Sequence, residues 1–218
     1  MRTEFDVDKY DFFFFDFDGV IVDSLGIKAE AFGSLFAEYG QDVVNKVIDH
    51  HLNNGGVSRY EKFRYYYNKL LGKEITPEIM DELDKLYSSR VVERVVSASA
   101  IAGVMDFLKQ LDRKNKACFV VSATPQEEVR RIARLRGMNG MFREIIGSPR
   151  KKSENLRYLL DKYSIRRSRA VYFGDAKSDY EAARENGIDF IGVGDEENRE
   201  LNALGRICRI DNFRQCKF

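Results

Sequence analysis

Four consecutive phenylalanines, Phe12-Phe13-Phe14-Phe15, followed at once by Asp16-Phe17-Asp18-Gly19-Val20, constrain this chain more than any other stretch. An unbroken aromatic run has neither the stripe of a surface helix nor the alternation of a half-exposed strand. It predicts a short strand buried on both faces, as in the middle of a parallel sheet. In an open α/β sheet ligands gather beyond the carboxyl ends of the strands, which is where Asp16 and Asp18 fall. The two-residue period of extended chain lets both carboxylates leave the strand tip on one side while Phe17 turns back to the core, and Gly19 lets the chain turn.

Three later apolar runs read the same way. Ala117-Cys118-Phe119-Val120-Val121 ends in Ser122-Ala123-Thr124, and Thr124-Pro125-Gln126-Glu127 has the composition of a capping box with proline at the first helical position. The Ser122 hydroxyl and the free amides around Ala123, at a strand tip beside a helix start, suit either a phosphate cradle or a simple cap. Glu144-Ile145-Ile146-Gly147 precedes Ser148-Pro149-Arg150-Lys151-Lys152 and a helix bearing Leu156, Leu159, Leu160 and Tyr163. Ala170-Val171-Tyr172-Phe173 ends in Gly174-Asp175, and Asp179 follows near the start of a helix that Ser178 and Glu181 would cap. Ile188 to Val193, a helix around Glu197 to Leu204 and Ile207 to Ile210 complete the sheet.

Between the first two strands the pattern is helical. Leu25, Phe32, Leu35, Phe36 and Tyr39 share a face, Gly40 ends that helix, and Val43, Val44, Val47 and Ile48 mark a second. Asn53-Asn54-Gly55-Gly56 is a turn. Ser58 and Glu61 predict a capped helix from Arg59 to about Leu71, and Thr76-Pro77 opens another. Ile101 to Leu111 is an amphipathic helix leading into the second strand, and Arg130, Arg131, Arg134 and Arg136 read as the solvated face of the helix after it.

At 218 residues, 44% hydrophobic and 33% charged, the chain has room for a core domain and a smaller inserted one. A net charge of +1 gives no global field for nucleic acid or an anionic membrane. Met1-Arg2-Thr3-Glu4-Phe5-Asp6 lacks a long apolar run, and a cytoplasmic location is the expectation. Cys118, Cys208 and Cys216 have no metal-site spacing and read as free thiols; His50 and His51 read as structural.

Asp16-Phe17-Asp18-Gly19-Val20 with Ile21-Val22-Asp23-Ser24 resembles motif I of the haloacid dehalogenase superfamily, Asp-x-Asp-Gly-Val/Thr. Ser122 matches motif II, a lysine at the start of the Ser153 helix matches motif III, with Lys152 or Lys151 to choose from, and Gly174-Asp175-x-x-x-Asp179 matches motif IV. The resemblance implies an α/β fold: a Rossmann-like parallel sheet formed by residues 1–24 and 96–218, with residues 25–95 inserted as a helical cap like that of the phosphoglycolate phosphatase and β-phosphoglucomutase branch.

What it implies for the site follows motif by motif. Asp16, Asp18 and Asp175 converge at the strand tips, where their repulsion calls for a divalent cation, and an all-oxygen ligand set favours Mg²⁺. In the family the ligands are the carboxylates matching Asp16 and Asp175 and the main-chain carbonyl matching Asp18, and Asp179 orients metal-bound water or the lysine. Asp16 is then the nucleophile that forms an aspartyl-phosphate, Asp18 the general acid and base, and Ser122, Ala123 and Lys152 the binders of the phosphoryl oxygens. Arg59, in a Gly56-Val57-Ser58-Arg59 loop like that of β-phosphoglucomutase, would read a second anionic group. Lys28 stands where the mutase carries histidine, so the mutase proton shuttle does not carry over; Lys28 either contacts an anionic substrate or is exposed. The expected activity is hydrolysis of a small phosphate monoester, a sugar phosphate or similar metabolite, with a sugar-phosphate mutase as alternative and a non-catalytic phosphometabolite-binding module behind it. Dehalogenation is disfavoured because Asp18 is present. A small phosphorylated molecule, with neither nucleic acid nor membrane, is the expected partner.

Overall fold

The computed structural model describes residues 6–216, so the extreme amino-terminal residues considered above lie outside the described part. Six parallel strands form one sheet: β1 (Phe12–Phe15), β2 (Ala117–Pro125), β3 (Glu144–Ser148), β4 (Ala170–Gly174), β5 (Asp189–Val193) and β6 (Arg209–Ile210), in the order β3-β2-β1-β4-β5-β6. The phenylalanine strand is central. Phe12 through Phe15 pair with Ala117 through Val120 on one side and with Ala170 through Phe173 on the other.

Alternate rings of β1 serve opposite layers, which is why the run shows no polar alternation. Phe13 and Phe15 join Phe107, Phe173 and Phe213, with Phe15 stacked on Phe173 at a centroid distance of 5.2 Å. Phe14 faces the other way, stacks on Phe119 at 5.0 Å, and packs with Leu156, Leu159 and Ala182. Ring pairs of this kind add about 0.5–1.5 kcal/mol each beyond burial.

Between β1 and β2 the chain is helical: α1 (Leu25–Leu35), α2 (Gln41–Leu52), α3 (Arg59–Tyr65), which widens into a π turn over Tyr66–Leu70, and α4 (Pro77–Ser97). Ser58 and Thr76 cap α3 and α4 by accepting from the amides of Glu61 and Ile79, both at 3.3 Å. These helices close around Phe32, Phe36, Phe63, Tyr66 and Tyr87, all buried. The segment enters and leaves by a paired ribbon, in which Asp23 N donates to Ser99 O and Ile101 N to Ile21 O, each at 3.0 Å. Beyond it come α5 (Val104–Arg113), α6 (Gln126–Leu135), α7 (Lys152–Lys162), α8 (Lys177–Glu185) and the single turn α9 (Arg199–Asn202).

Four expectations are corrected. Thr124 does not cap α6: β2 continues to Pro125, which pairs with Ser148 after a register shift, and the Thr124 hydroxyl turns instead to Asp18 and Lys28. Ser178 lies inside α8, whose cap position is Ala176, and Asp179 rather than Glu181 reaches back to the cap amide. The ribbon uses Ile101, so α5 begins only at Val104, after Gly103 in the left-handed region with φ +82°. Arg136 is not on a solvated face: its guanidinium donates to the main-chain oxygens of Val95, Val96 and Ala98 and so satisfies the open carboxyl end of α4. The three cysteines are unpaired, as read from their spacing. No described helix is long and apolar enough to cross a membrane.

Candidate active site

As β1 runs out, Asp16 N still donates to Phe173 O at 2.9 Å, which holds the Asp16 side chain at the tip beside β4. Lys152, the first residue of α7, reaches across the strand tips: its ammonium lies 2.6 Å from Asp16 Oδ2 and 2.7 Å from Asp179 Oδ1. Lys152 is buried and Lys151 exposed, so of the two lysines it is Lys152 that meets the carboxylates. Asp179 Oδ2 accepts from Ala176 N at 3.1 Å, so the helix start that positions Asp179 also restrains it.

Oxygen atoms of Asp16, Asp175 and Asp179 lie within 4.8 Å of one another, all on buried residues. Asn198 Nδ2 donates to the Asp175 main-chain oxygen at 2.9 Å, but among the described residues no hydrogen bond or ion pair reaches the Asp175 carboxylate. Gly19 makes its close approach possible; a Cβ there would stand 2.3 Å from Asp175 Oδ2. Burial, and then the charges of Asp16 and Asp179, push the Asp175 carboxyl well above the usual range. Burial also raises Asp16 against the pull of Lys152. Burial opposes the charge of Lys152, but Asp16 and Asp179 prevail and hold it protonated. With all three ionised, three carboxylates against one ammonium would carry two negative charges in excess, which a small, hard, divalent cation would balance.

The Asp18 carboxylate is not a member of that group. Asp18 Oδ1 accepts from Ser24 Oγ at 2.6 Å, and Oδ2 accepts from the Lys28 ammonium and from Thr124 Oγ1 at 2.8 Å. Burial alone would raise its pKa; the Lys28 charge and the hydrogen bonds of Lys28, Ser24 and Thr124 overcome this and keep it below the ordinary carboxylate range. Two aspartates two residues apart are thus held in different electrostatic settings.

Ser122 is buried at the tip of β2, its Oγ accepting from Thr124 N at 3.1 Å and keeping its own hydrogen to donate. Ala123 lines both the cavity of about 30 Å³ beside Asp16 and Asp18 and one of about 270 Å³ shared with Arg150, Lys151 and Lys152. Lys28 is buried, not exposed on its helix. Arg59 also lines the small cavity, but its guanidinium is committed: it grips both oxygens of Glu128 on α6, lies 3.0 Å from Asp84 Oδ1, donates to Ser88 Oγ and covers the Tyr87 ring. On the far side of Gly19, the lining of a cavity of about 520 Å³ includes several carboxylates, among them Asp23, Asp175 and Glu197, with Arg199 beside them.

Three residues that line the small cavity escaped the sequence reading: Thr124, hidden by its cap-like surroundings, and His51 and Lys62, on successive helices with no motif.

A parallel sheet that gathers its acidic centre along one row of strand tips has the plan of the open α/β folds, which bind their ligands there. Residues 13–193 match the family model of the haloacid dehalogenase-like hydrolases, and the chain belongs to that family. It is 24% identical over 186 residues to a phosphoglycolate phosphatase from Pasteurella multocida, covering 82% of this chain and 83% of that one. A phosphoglycolate phosphatase from Aliivibrio fischeri is 26% identical over 182 residues, covering 79% of each. In fold it resembles the crystal structure of β-phosphoglucomutase from Clostridium difficile, with a TM-score of 0.77 at 21% identity over 96% of this chain and 94% of that one. Within its family the chain is a phosphatase, a phosphoric monoester hydrolase.

Proposed function

We propose that the chain hydrolyses a small phosphate monoester, with Mg²⁺ as cofactor, in two displacements at phosphorus through Asp16. The observation that carries this reading is the separation of the carboxylates: Asp16 with Asp175 and Asp179 around Lys152, and Asp18 apart with Lys28, Ser24 and Thr124.

Asp16 and Asp175 would hold the cation, with the Asp18 carbonyl, and Asp179 would orient Lys152 or metal-bound water. Mg²⁺ bound there supplies charge neutralisation that lets an anionic nucleophile approach an anionic phosphate. Asp16 attacks phosphorus, the ester P–O bond breaks, and Asp18 delivers its proton to the leaving oxygen. The phosphoryl dianion beside Asp18 offsets Lys28 and raises the Asp18 pKa, so the group enters the step as an acid. As a carboxylate it then takes a proton from water, which attacks the aspartyl-phosphate and frees Asp16 and inorganic phosphate. Ser122, the Ala123 amide and Lys152 bind the phosphoryl oxygens, where fixed donors act most strongly on the transition state. Residues 25–95 act as a lid that keeps bulk water out.

Phosphoglycolate, named for the relatives above, is the first substrate to try. Phosphate release measured with and without Mg²⁺ tests the reading: Asp16→Asn is expected to lower it by roughly 10³-fold or more. Wild-type rates from that variant would overturn it.

A further inference from the structure

We propose that Lys62 and His51 form a subsite for an anionic group on the leaving-group side of the substrate, a carboxylate or second phosphoryl a few atoms from the scissile phosphate. The proposal rests on the phosphatase reading above and names the chemistry that this end of the site selects.

Lys62 is 1% exposed, and among the described residues no carboxylate pairs with it. Its ammonium meets His51 Nδ1 at 2.7 Å and lies 5.4 Å from the Phe32 ring centroid. A buried ammonium without a counter-ion is costly, and such a group is retained where something else supplies the charge. His51 carries the second observation. When Lys62 is protonated it donates to Nδ1, which places the ring proton on Nε2, and Nε2 is buried without a hydrogen-bond partner. Burial, and then the charges of Lys62 and Lys28, keep the ring neutral, so Nε2 is a donor with nothing to donate to.

Both residues line the same cavity of about 30 Å³ as Asp16, Asp18 and Thr124. The two other cations there are already used: Lys28 on Asp18 and Thr124, Arg59 on Glu128 and Asp84. Among the described residues Lys62 is therefore the cation of this cavity left over for a ligand, the role the sequence suggested for Arg59. Space for about two water-sized groups restricts the occupant to a short leaving group.

The test compares kcat/KM, with Mg²⁺, for phosphoglycolate, 1,3-propanediol bisphosphate and ethyl phosphate, whose leaving groups end in a carboxylate, a phosphoryl group and a methyl. The wild type is expected to prefer one anionic ester over ethyl phosphate, and Lys62→Met and His51→Phe each to reduce that preference about 10–100-fold, the loss expected of a hydrogen bond to a charged group. The ester whose advantage collapses identifies the anion. A wild type without preference, or variants that lose all substrates equally, would overturn the subsite. If the wild type hydrolyses none of the three, the phosphatase reading fails and binding decides: a smaller rise in Tm with phosphoglycolate for Lys62→Met than for the wild type supports the subsite, and an equal rise overturns it.

Discussion

Burial, and then the repulsion of Lys28, draws the Lys62 ammonium down to about 7, which sets the sign of a stability effect. An unfolded lysine keeps its proton to about pH 10.4, so the folded chain bears the full cost of the buried charge below about pH 7. That cost is relieved as pH rises through the window between, because the folded group has by then lost its proton. Lys62→Met is thus expected to raise Tm most near pH 6 and least near pH 10. The groups acting on Lys62, namely His51, Lys28, Lys152, Glu200 and Asp18, remain in both proteins, and their own titration cancels to first order in the difference. A gain independent of pH would contradict the assignment. Gly19 makes a second residue-scale prediction. It combines φ +77° with the close approach to Asp175, so Gly19→Ala adds about 1–2 kcal/mol of backbone strain and displaces the Asp175 carboxylate, a proposed Mg²⁺ ligand. Calorimetric titration with Mg²⁺ is expected to show at least tenfold weaker binding. Asp16, Asp18, Asp175 and Lys152 were legible in the sequence because strand tips and helix starts follow from local pattern. His51 and Lys62 were not, because each reads as one polar residue on an amphipathic helix until the fold brings the two helices together.

At the level of elements, α3 and α6 are joined through Arg59 and Glu128, a pair with side chains only 4% and 9% exposed. Removing one partner of a buried ion pair costs about 3–5 kcal/mol because the other charge is stranded, whereas replacing both by apolar groups costs far less. Urea unfolding of Arg59→Met is expected to show a loss of that order, and Arg59→Met with Glu128→Leu to recover most of it; equal losses in both would refute the coupling. The same pair marks the limit of local reading. The cap of α3 at Ser58 was predicted and is present, but the destination of the arginine next to it lies 69 positions away in sequence. The phenylalanine strand was legible because only a two-faced core accepts four adjacent rings. The end of β2 was not, because Thr124-Pro125-Gln126-Glu127 satisfies the composition of a helix cap while the pull of Asp18 and Lys28 on the hydroxyl decides against it.

At the scale of the whole molecule the two cavities that flank the site differ in charge, although the net charge is only +1. The cavity past Gly19 is acidic, whereas in the one past Ala123 Arg150, Lys151 and Lys152 stand against Glu61, Glu181 and Glu185. Cations are drawn to the first, an attraction that net charge alone conceals. Lys151→Glu, on an exposed residue, is expected to lower kcat/KM several-fold at low salt, with the deficit closing near 0.5 M salt as screening shortens the field; a salt-independent deficit would point to a local contact. The ribbon of Ile21–Asp23 and Ser99–Ile101 joins the helical segment to the sheet. Both covalent passages of the helical segment run through it, tied to each other by main-chain hydrogen bonds, so they are held together as one connection. Contacts from residues 25–95 to the rest of the chain include Arg59 with Glu128, Gly55 with Glu200, Lys28 with both Asp18 and Thr124, and Arg136 with the Val95 carbonyl. An opening of residues 25–95 on that ribbon, as proposed for the lid, would have to break these contacts together before product could leave.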